Sequence, residues 1–135
     1  MSGRLTSAGI TAEPQRILIA DDAASSRDLL RSILEVSDYI VEEAVDGAEV
    51  LANVEAFRPH LIILDLQMPK LDGYATAAAL RQMPRLRLTP IIALTAAPTQ
   101  TAPDKILEAG FSGYLVKPIG PSRLRKCVAE ALQHS

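Results

Sequence analysis

The chain has 135 residues, 48% of them hydrophobic, and a formal net charge of -2. That is one domain with enough apolar material for a single core. The near-balanced charge excludes a general electrostatic attraction to nucleic acid or to an anionic membrane surface; no apolar run is long enough to span a bilayer, and the lone cysteine, Cys127, excludes an internal disulfide.

In chain order, the first fifteen residues, MSGRLTSAGITAEPQ, contain no apolar run of the kind a secretory signal needs. They read as a polar tail, 1–15, ahead of one domain, 16–135. A short apolar run, RILIA at 16–20, follows and ends in Asp21-Asp22. Residues 25–36 then carry Leu29, Leu30, Ile33 and Leu34 on one helical face, with Ser25 as the expected cap. YIVEEA at 39–44 is a weaker strand signal, and Glu42 and Glu43 mark it as an edge. A helix is expected over 47–56, after an Asp46-Gly47 turn. LIIL at 61–64 runs into Asp65. A loop with Met68, Pro69, Asp72 and Gly73 leads to an alanine-rich helix over 73–82, the glycine freeing the turn. IIAL at 91–94 ends in Thr95, and a loop holding Pro98 precedes a helix over 103–109 that starts on Pro103 and stops at Gly110. GYLV at 113–116 ends in Lys117, and 121–133 place Leu124, Val128, Ala131 and Leu132 at helical spacing, with Cys127 as a buried structural thiol.

Continuous apolar runs alternating with amphipathic helices give an α/β fold of five βα units around a parallel sheet. All strands of such a sheet point one way, so the residues that end them share one edge, where ligands of open α/β sheets bind. That edge collects Asp21, Asp22, Asp65, Thr95 and Lys117. His60 precedes its strand and belongs to the opposite edge. Crowded carboxylates raise one another's pKa unless a cation intervenes. Lys117 supplies one charge, and a hard divalent cation that takes oxygen ligands, Mg²⁺ or in its place Mn²⁺, supplies the rest. A carboxylate so placed is a candidate nucleophile towards phosphorus.

The ordered pieces ILIADD, LIILDLQMPKLDGY, IIALTA and GYLVKPI resemble the signatures of response-regulator receiver domains of two-component signalling, over about residues 16–133. The resemblance implies a flavodoxin-like, doubly wound sheet in the order 2-1-3-4-5. It implies Asp65 as phosphoacceptor, Asp22 as a direct metal ligand, Asp21 as a ligand through water, and the backbone carbonyl of Gln67 as a further ligand. Thr95 becomes a switch hydroxyl, Lys117 the phosphoryl-binding cation, Tyr114 an aromatic switch as well as a core residue, and the Lys117-Pro118 bond a candidate for the cis form. A sensor histidine kinase or histidine phosphotransfer protein is the implied donor, small phosphodonors such as acetyl phosphate should substitute, and the setting is cytoplasmic. The output is expected to be a protein partner read through the fourth helix, fifth strand and fifth helix, since no DNA-binding helices follow the fifth helix.

Two departures stand out. Ser26 occupies a place that often holds asparagine, which leaves the contact of that amide open. Ala97, two residues beyond Thr95, has no polar group with which to orient water. An enzyme alternative, an aspartyl-phosphate phosphatase of the haloacid-dehalogenase type, would need an acid two residues after the nucleophile, where Gln67 stands. A binding scaffold whose site is never phosphorylated is the third reading.

Overall fold

The computed structural model describes residues 4–5, 11–96 and 103–133. The expectations attached to Ala97 and Pro98 therefore lie outside the described residues. Five parallel strands form the main sheet: β1 (Arg16–Ala20), β2 (Ile40–Ala44), β3 (Leu61–Asp65), β4 (Ile91–Thr95) and β5 (Gly113–Val116). Their spatial order is β2-β1-β3-β4-β5, the doubly wound, flavodoxin-like order expected. Before them, Arg4–Leu5 pairs antiparallel with Thr11–Ala12, inside the segment read as a polar tail.

The helices are α1 (Ala24–Val36), α2 (Gly47–Phe57), α3 (Gly73–Arg81), α4 (Pro103–Glu108) and α5 (Pro121–Gln133). A short 3₁₀ turn, Pro84–Leu86, was not anticipated. Boundaries differ from the sequence reading by one residue in most elements. At α1 the difference is chemical: Ala23 is the N-cap and no side chain caps the helix. Ser25 therefore lies inside the first turn and is not its cap. At α2 the turn reading of Asp46 extends to a reciprocal cap. Asp46 accepts the Glu49 N–H at 2.8 Å, and the Glu49 carboxylate accepts the Val45 N–H at 3.1 Å.

Alternation along the strands splits the core into two layers. Leu18, Ile62, Leu64 and Ile91 pack with Val50 and Val54 of α2, Leu80 of α3 and Ile106 of α4. Ile17, Ile19, Ile63 and Leu94 pack with Leu30 and Leu34 of α1 and Leu124 and Val128 of α5. Both faces of the central strands are thus covered, which is why β3 and β4 are buried along their whole length. The edge position of β2 matches its two glutamates. Glu43 pairs with Arg27 and Arg31 of α1, whose guanidinia cover that edge. Cys127 is half-buried against the α1–α5 layer. Among the described residues no helix is long and apolar enough to cross a membrane.

At the amino ends of the strands His60 ties β1 to β3. Its Nδ1 accepts the Arg16 backbone N–H at 2.9 Å. Burial, and next the charge of Arg16, hold its pKa below the usual imidazole value of 6.5, against a smaller opposing effect of Glu13. A base with a depressed folded pKa contributes stability that is present above the unfolded pKa and lost as pH falls through the folded one. The urea midpoint should therefore fall between about pH 7.5 and about pH 5. His60→Gln, which cannot titrate there, should flatten that slope; an equal slope in the variant would remove His60 from the account.

Candidate phosphoryl-transfer site

The strand order brings the carboxyl ends of β1 and β3 side by side at the point where the chain's connections diverge to opposite sides of the sheet. Asp21 follows β1 directly, and its backbone N–H extends the ladder by donating to Ala44 O at 3.2 Å. Asp65 is the last residue of β3 and stands opposite Leu94 of β4. Thr95 ends β4 and is buried. The Lys117 N–H donates to Thr95 O at 2.8 Å, which fixes the end of β5 beside β4. The Lys117-Pro118 peptide is cis, as the resemblance implied.

These elements deliver the side chains to one point. Carboxylate oxygens of Asp21, Asp22 and Asp65 lie within 4.8 Å of one another. The Lys117 ammonium donates to Asp21 Oδ2 at 2.8 Å and to Asp65 Oδ2 at 2.9 Å. Asp21 is wholly buried and Asp22 is exposed. Both Asp21 oxygens are occupied: Oδ1 accepts the Ala23 N–H at 2.9 Å, and Oδ2 accepts the Ser26 hydroxyl at 2.6 Å besides the ammonium. Asp65 Oδ1 accepts the Gln67 N–H at 3.0 Å.

The two buried acids differ electrostatically. Burial opposes the charge of Asp21, but Lys117, Ser26 and the Ala23 N–H outweigh it and hold its carboxyl below the ordinary value. For Asp65 burial wins: with the repulsion of Asp21 added, it outweighs the Gln67 N–H and Lys117 and pushes the carboxyl up. Burial also disfavours the Lys117 charge, yet the two carboxylates overcome it and raise the ammonium's pKa. The ammonium is thus held charged, and Asp65 is the less satisfied of the two buried acids.

Every residue expected on this edge of the sheet is there. Gln67 contributes its N–H to Asp65 while its side chain is exposed. Tyr114 is not brought to the acids. It lies half-buried on β5 against the layer that holds α2, α3 and α4.

Three residues make contacts at the site that the sequence reading leaves open or does not contain. Ser26 reaches Asp21 directly, which answers the question its departure raised. Arg27 donates from Nη1 to Asp21 O at 2.7 Å and so braces the backbone of the acid. Gly73 is more than a turn residue. A Cβ there would stand 2.5 Å from Asp65 O and 2.8 Å from Leu66 Cα, both backbone atoms. Only a glycine lets α3 begin against the strand end that carries Asp65. Helical phase points at Ser26 only once the position of α1 relative to Asp21 is known; no local pattern shows it.

The arrangement matches known proteins. Residues 17–129 fit the family model described as response regulator receiver domain. An uncharacterized 14.6 kDa protein in the sodA1 3' region of Leptolyngbya boryana is 37% identical over 114 residues, which are 84% of this chain and 87% of that one. The chain spans about half the length of several of the curated transcriptional regulators it matches, 49% for one from Porphyridium aerugineum. A putative response regulator of Chloroflexus aurantiacus superposes with a TM-score of 0.86 at 33% identity, covering 90% of this chain and 99% of that one. The receiver domain of the sensor histidine kinase PA1611 of Pseudomonas aeruginosa, solved with a magnesium ion coordinated in its active-site cleft, gives a TM-score of 0.83 at 30% identity over 89% of this chain and 98% of that one. With the family model spanning nearly the whole sheet and the acids and lysine gathered at its carboxyl edge, the chain belongs to the response regulator receiver domains of two-component signalling.

Proposed function

We propose that this receiver domain accepts a phosphoryl group on Asp65 from a phosphohistidine, carried by a sensor histidine kinase or a histidine phosphotransfer protein. The signal then passes to a protein partner through the face formed by α4, β5 and α5. The observation that carries this reading is the Lys117 ammonium, which bridges Asp21 and Asp65 inside a cluster of acids.

The donor set fits a hard divalent cation. It offers only oxygens, and three carboxylates against one ammonium leave two negative charges to neutralise. Asp22 and Asp65 would hold Mg²⁺, or Mn²⁺, directly, with the Gln67 carbonyl as a further oxygen. Asp21, whose oxygens already accept protein donors, would act through water. When bound, the cation supplies positive charge against the carboxylates and the phosphoryl oxygens.

The remaining work falls to the chain's own residues. An Asp65 oxygen forms a bond to phosphorus as the donor's P–N bond breaks, giving an acyl phosphate. Lys117 already sits against that carboxylate and pairs with an oxygen of the incoming group. The Thr95 hydroxyl, at the end of the adjacent strand, donates to another and couples the new group to β4. Tyr114 on β5 would relay the change to the output face. Gln67 offers no carboxylic acid where an aspartyl-phosphate phosphatase needs one, which disfavours that alternative. The single half-buried thiol accords with a cytoplasmic setting.

Acetyl phosphate with Mg²⁺ should add one phosphoryl group by intact mass, and hydroxylamine should remove it, as it does an acyl phosphate. Chelation of the cation should prevent the addition. No adduct under any of these conditions would set the reading aside.

A further inference from the structure

We infer that Ser26 is a positioning residue for the phosphoryl-transfer lysine: its hydroxyl shares Asp21 Oδ2 with the Lys117 ammonium and so keeps that ammonium divided between Asp21 and Asp65. The inference rests on the phosphoacceptor reading given above.

The geometry is specific. Asp21 Oδ2 accepts Ser26 Oγ at 2.6 Å and Lys117 Nζ at 2.8 Å, and the same ammonium reaches Asp65 Oδ2 at 2.9 Å. A carboxylate oxygen has two lone pairs, and these two donors occupy both. A hydroxyl donated to a carboxylate draws off part of its negative charge, and such charge-assisted bonds are the strong ones. Asp21 therefore pulls less on Lys117 and offers less to a cation than its burial beside them would otherwise allow. Ser26 does not cap α1, whose N-cap is Ala23 and which has no side-chain cap. Nor does it serve Arg27, which bonds Asp21 O and Glu43 instead. Its hydroxyl is spent on the oxygen that competes with Asp65 for the ammonium.

Without the hydroxyl, Asp21 should draw the ammonium towards itself and away from the phosphoryl oxygens. The same change should strengthen its attraction for a cation. The test compares Ser26→Ala and Ser26→Thr with the parent protein. Ser26→Ala should slow phosphorylation by acetyl phosphate at saturating Mg²⁺ about three- to tenfold. It should also tighten Mg²⁺ binding to the unphosphorylated protein in calorimetric titration by about threefold. Ser26→Thr, which keeps a hydroxyl on the same carbon, should restore both. A purely structural role would lower the unfolding midpoint without tightening the cation. An alanine variant whose rate and Mg²⁺ affinity both equal the parent's overturns the proposal while the parent's own phosphorylation stands. A parent that takes up no phosphoryl group removes the underlying reading, and this proposal with it.

Discussion

Asp65→Asn should remain folded, lose phosphoryl uptake from acetyl phosphate down to background, and become more resistant to urea at neutral pH in Mg²⁺-free buffer. The amide keeps the shape of the side chain and one oxygen for the Gln67 N–H, which Asp65 Oδ1 accepts at 3.0 Å. Lys117 retains its other partner, Asp21 Oδ2 at 2.8 Å. What disappears is the anionic oxygen proposed to attack phosphorus, and no neighbour is placed to replace it: Asp21 is wholly buried with both oxygens taken, and Asp22, exposed, is on the same proposal a ligand of the cation.

The gain in stability follows from the sign of the Asp65 shift. Burial, reinforced by Asp21, raises the carboxyl above the ordinary aspartate value of 3.8 despite Gln67 and Lys117. A group with a raised folded pKa contributes stability that is complete below its unfolded pKa and lost as pH rises through the folded pKa. At pH 7 the ionised acid is therefore held at a cost that a neutral amide avoids. The urea midpoint should rise in the variant at pH 7, and the difference should shrink below about pH 4. Mass spectra of Asp65→Asn with an undiminished adduct would place the acceptor elsewhere. A variant less stable than the parent at pH 7 would contradict the electrostatic account of the cluster.

Much of this site was legible because a parallel sheet converts a one-dimensional pattern into a place. Apolar runs ending in Asp21-Asp22, Asp65, Thr95 and Lys117 must converge if their strands are parallel neighbours. The pattern could not show which member of the adjacent acidic pair turns inward, since that depends on how the chain leaves β1; Asp21 is buried and Asp22 exposed. The contact of Ser26 with Asp21 depends on where α1 begins, and the expected Ser25 cap shows how a one-residue error in that boundary hides the partner. Gly73 carried a sound local reading as a turn glycine. Its approach to Asp65 O becomes visible only when α3 is docked on the sheet. Tyr114 illustrates the reverse: its half-buried place against the core agrees with the apolar run, and the switching role expected of it rests on the resemblance alone.

Arg81 had no sequence signal at all, and Arg81→Met should cost about 3 kcal/mol or more of folding stability. Its guanidinium is spread over backbone carbonyls from two segments, 86–89 and Gly110. Nε and Nη2 donate to Gly110 O at 2.9 and 2.8 Å, while Nη1 donates to Leu86 O at 2.7 Å, Thr89 O at 2.6 Å and, more weakly, Arg87 O at 3.2 Å. Burial lowers its pKa, so the charge is carried at a cost that these carbonyls offset. The site is shaped for it: Gly110 adopts φ +101°, and a Cβ there would stand 3.1 Å from Arg81 Cγ. The partners are carbonyls, which every residue possesses, and the farthest lies 29 positions along the chain, so composition and spacing carry no trace of the contact. Methionine preserves the apolar stem but leaves the turn after α3 and the end of α4 untied, with their carbonyls short of donors. Lysine should rescue only part of the loss, because an ammonium cannot reproduce the planar fork. Equilibrium urea unfolding should show a lower midpoint with an unchanged slope. Acetyl phosphate uptake by the folded fraction at low temperature should persist, since none of these bonds touches Asp21, Asp65 or Lys117. A midpoint that barely moves would mean that water satisfies the freed carbonyls as well as the guanidinium does.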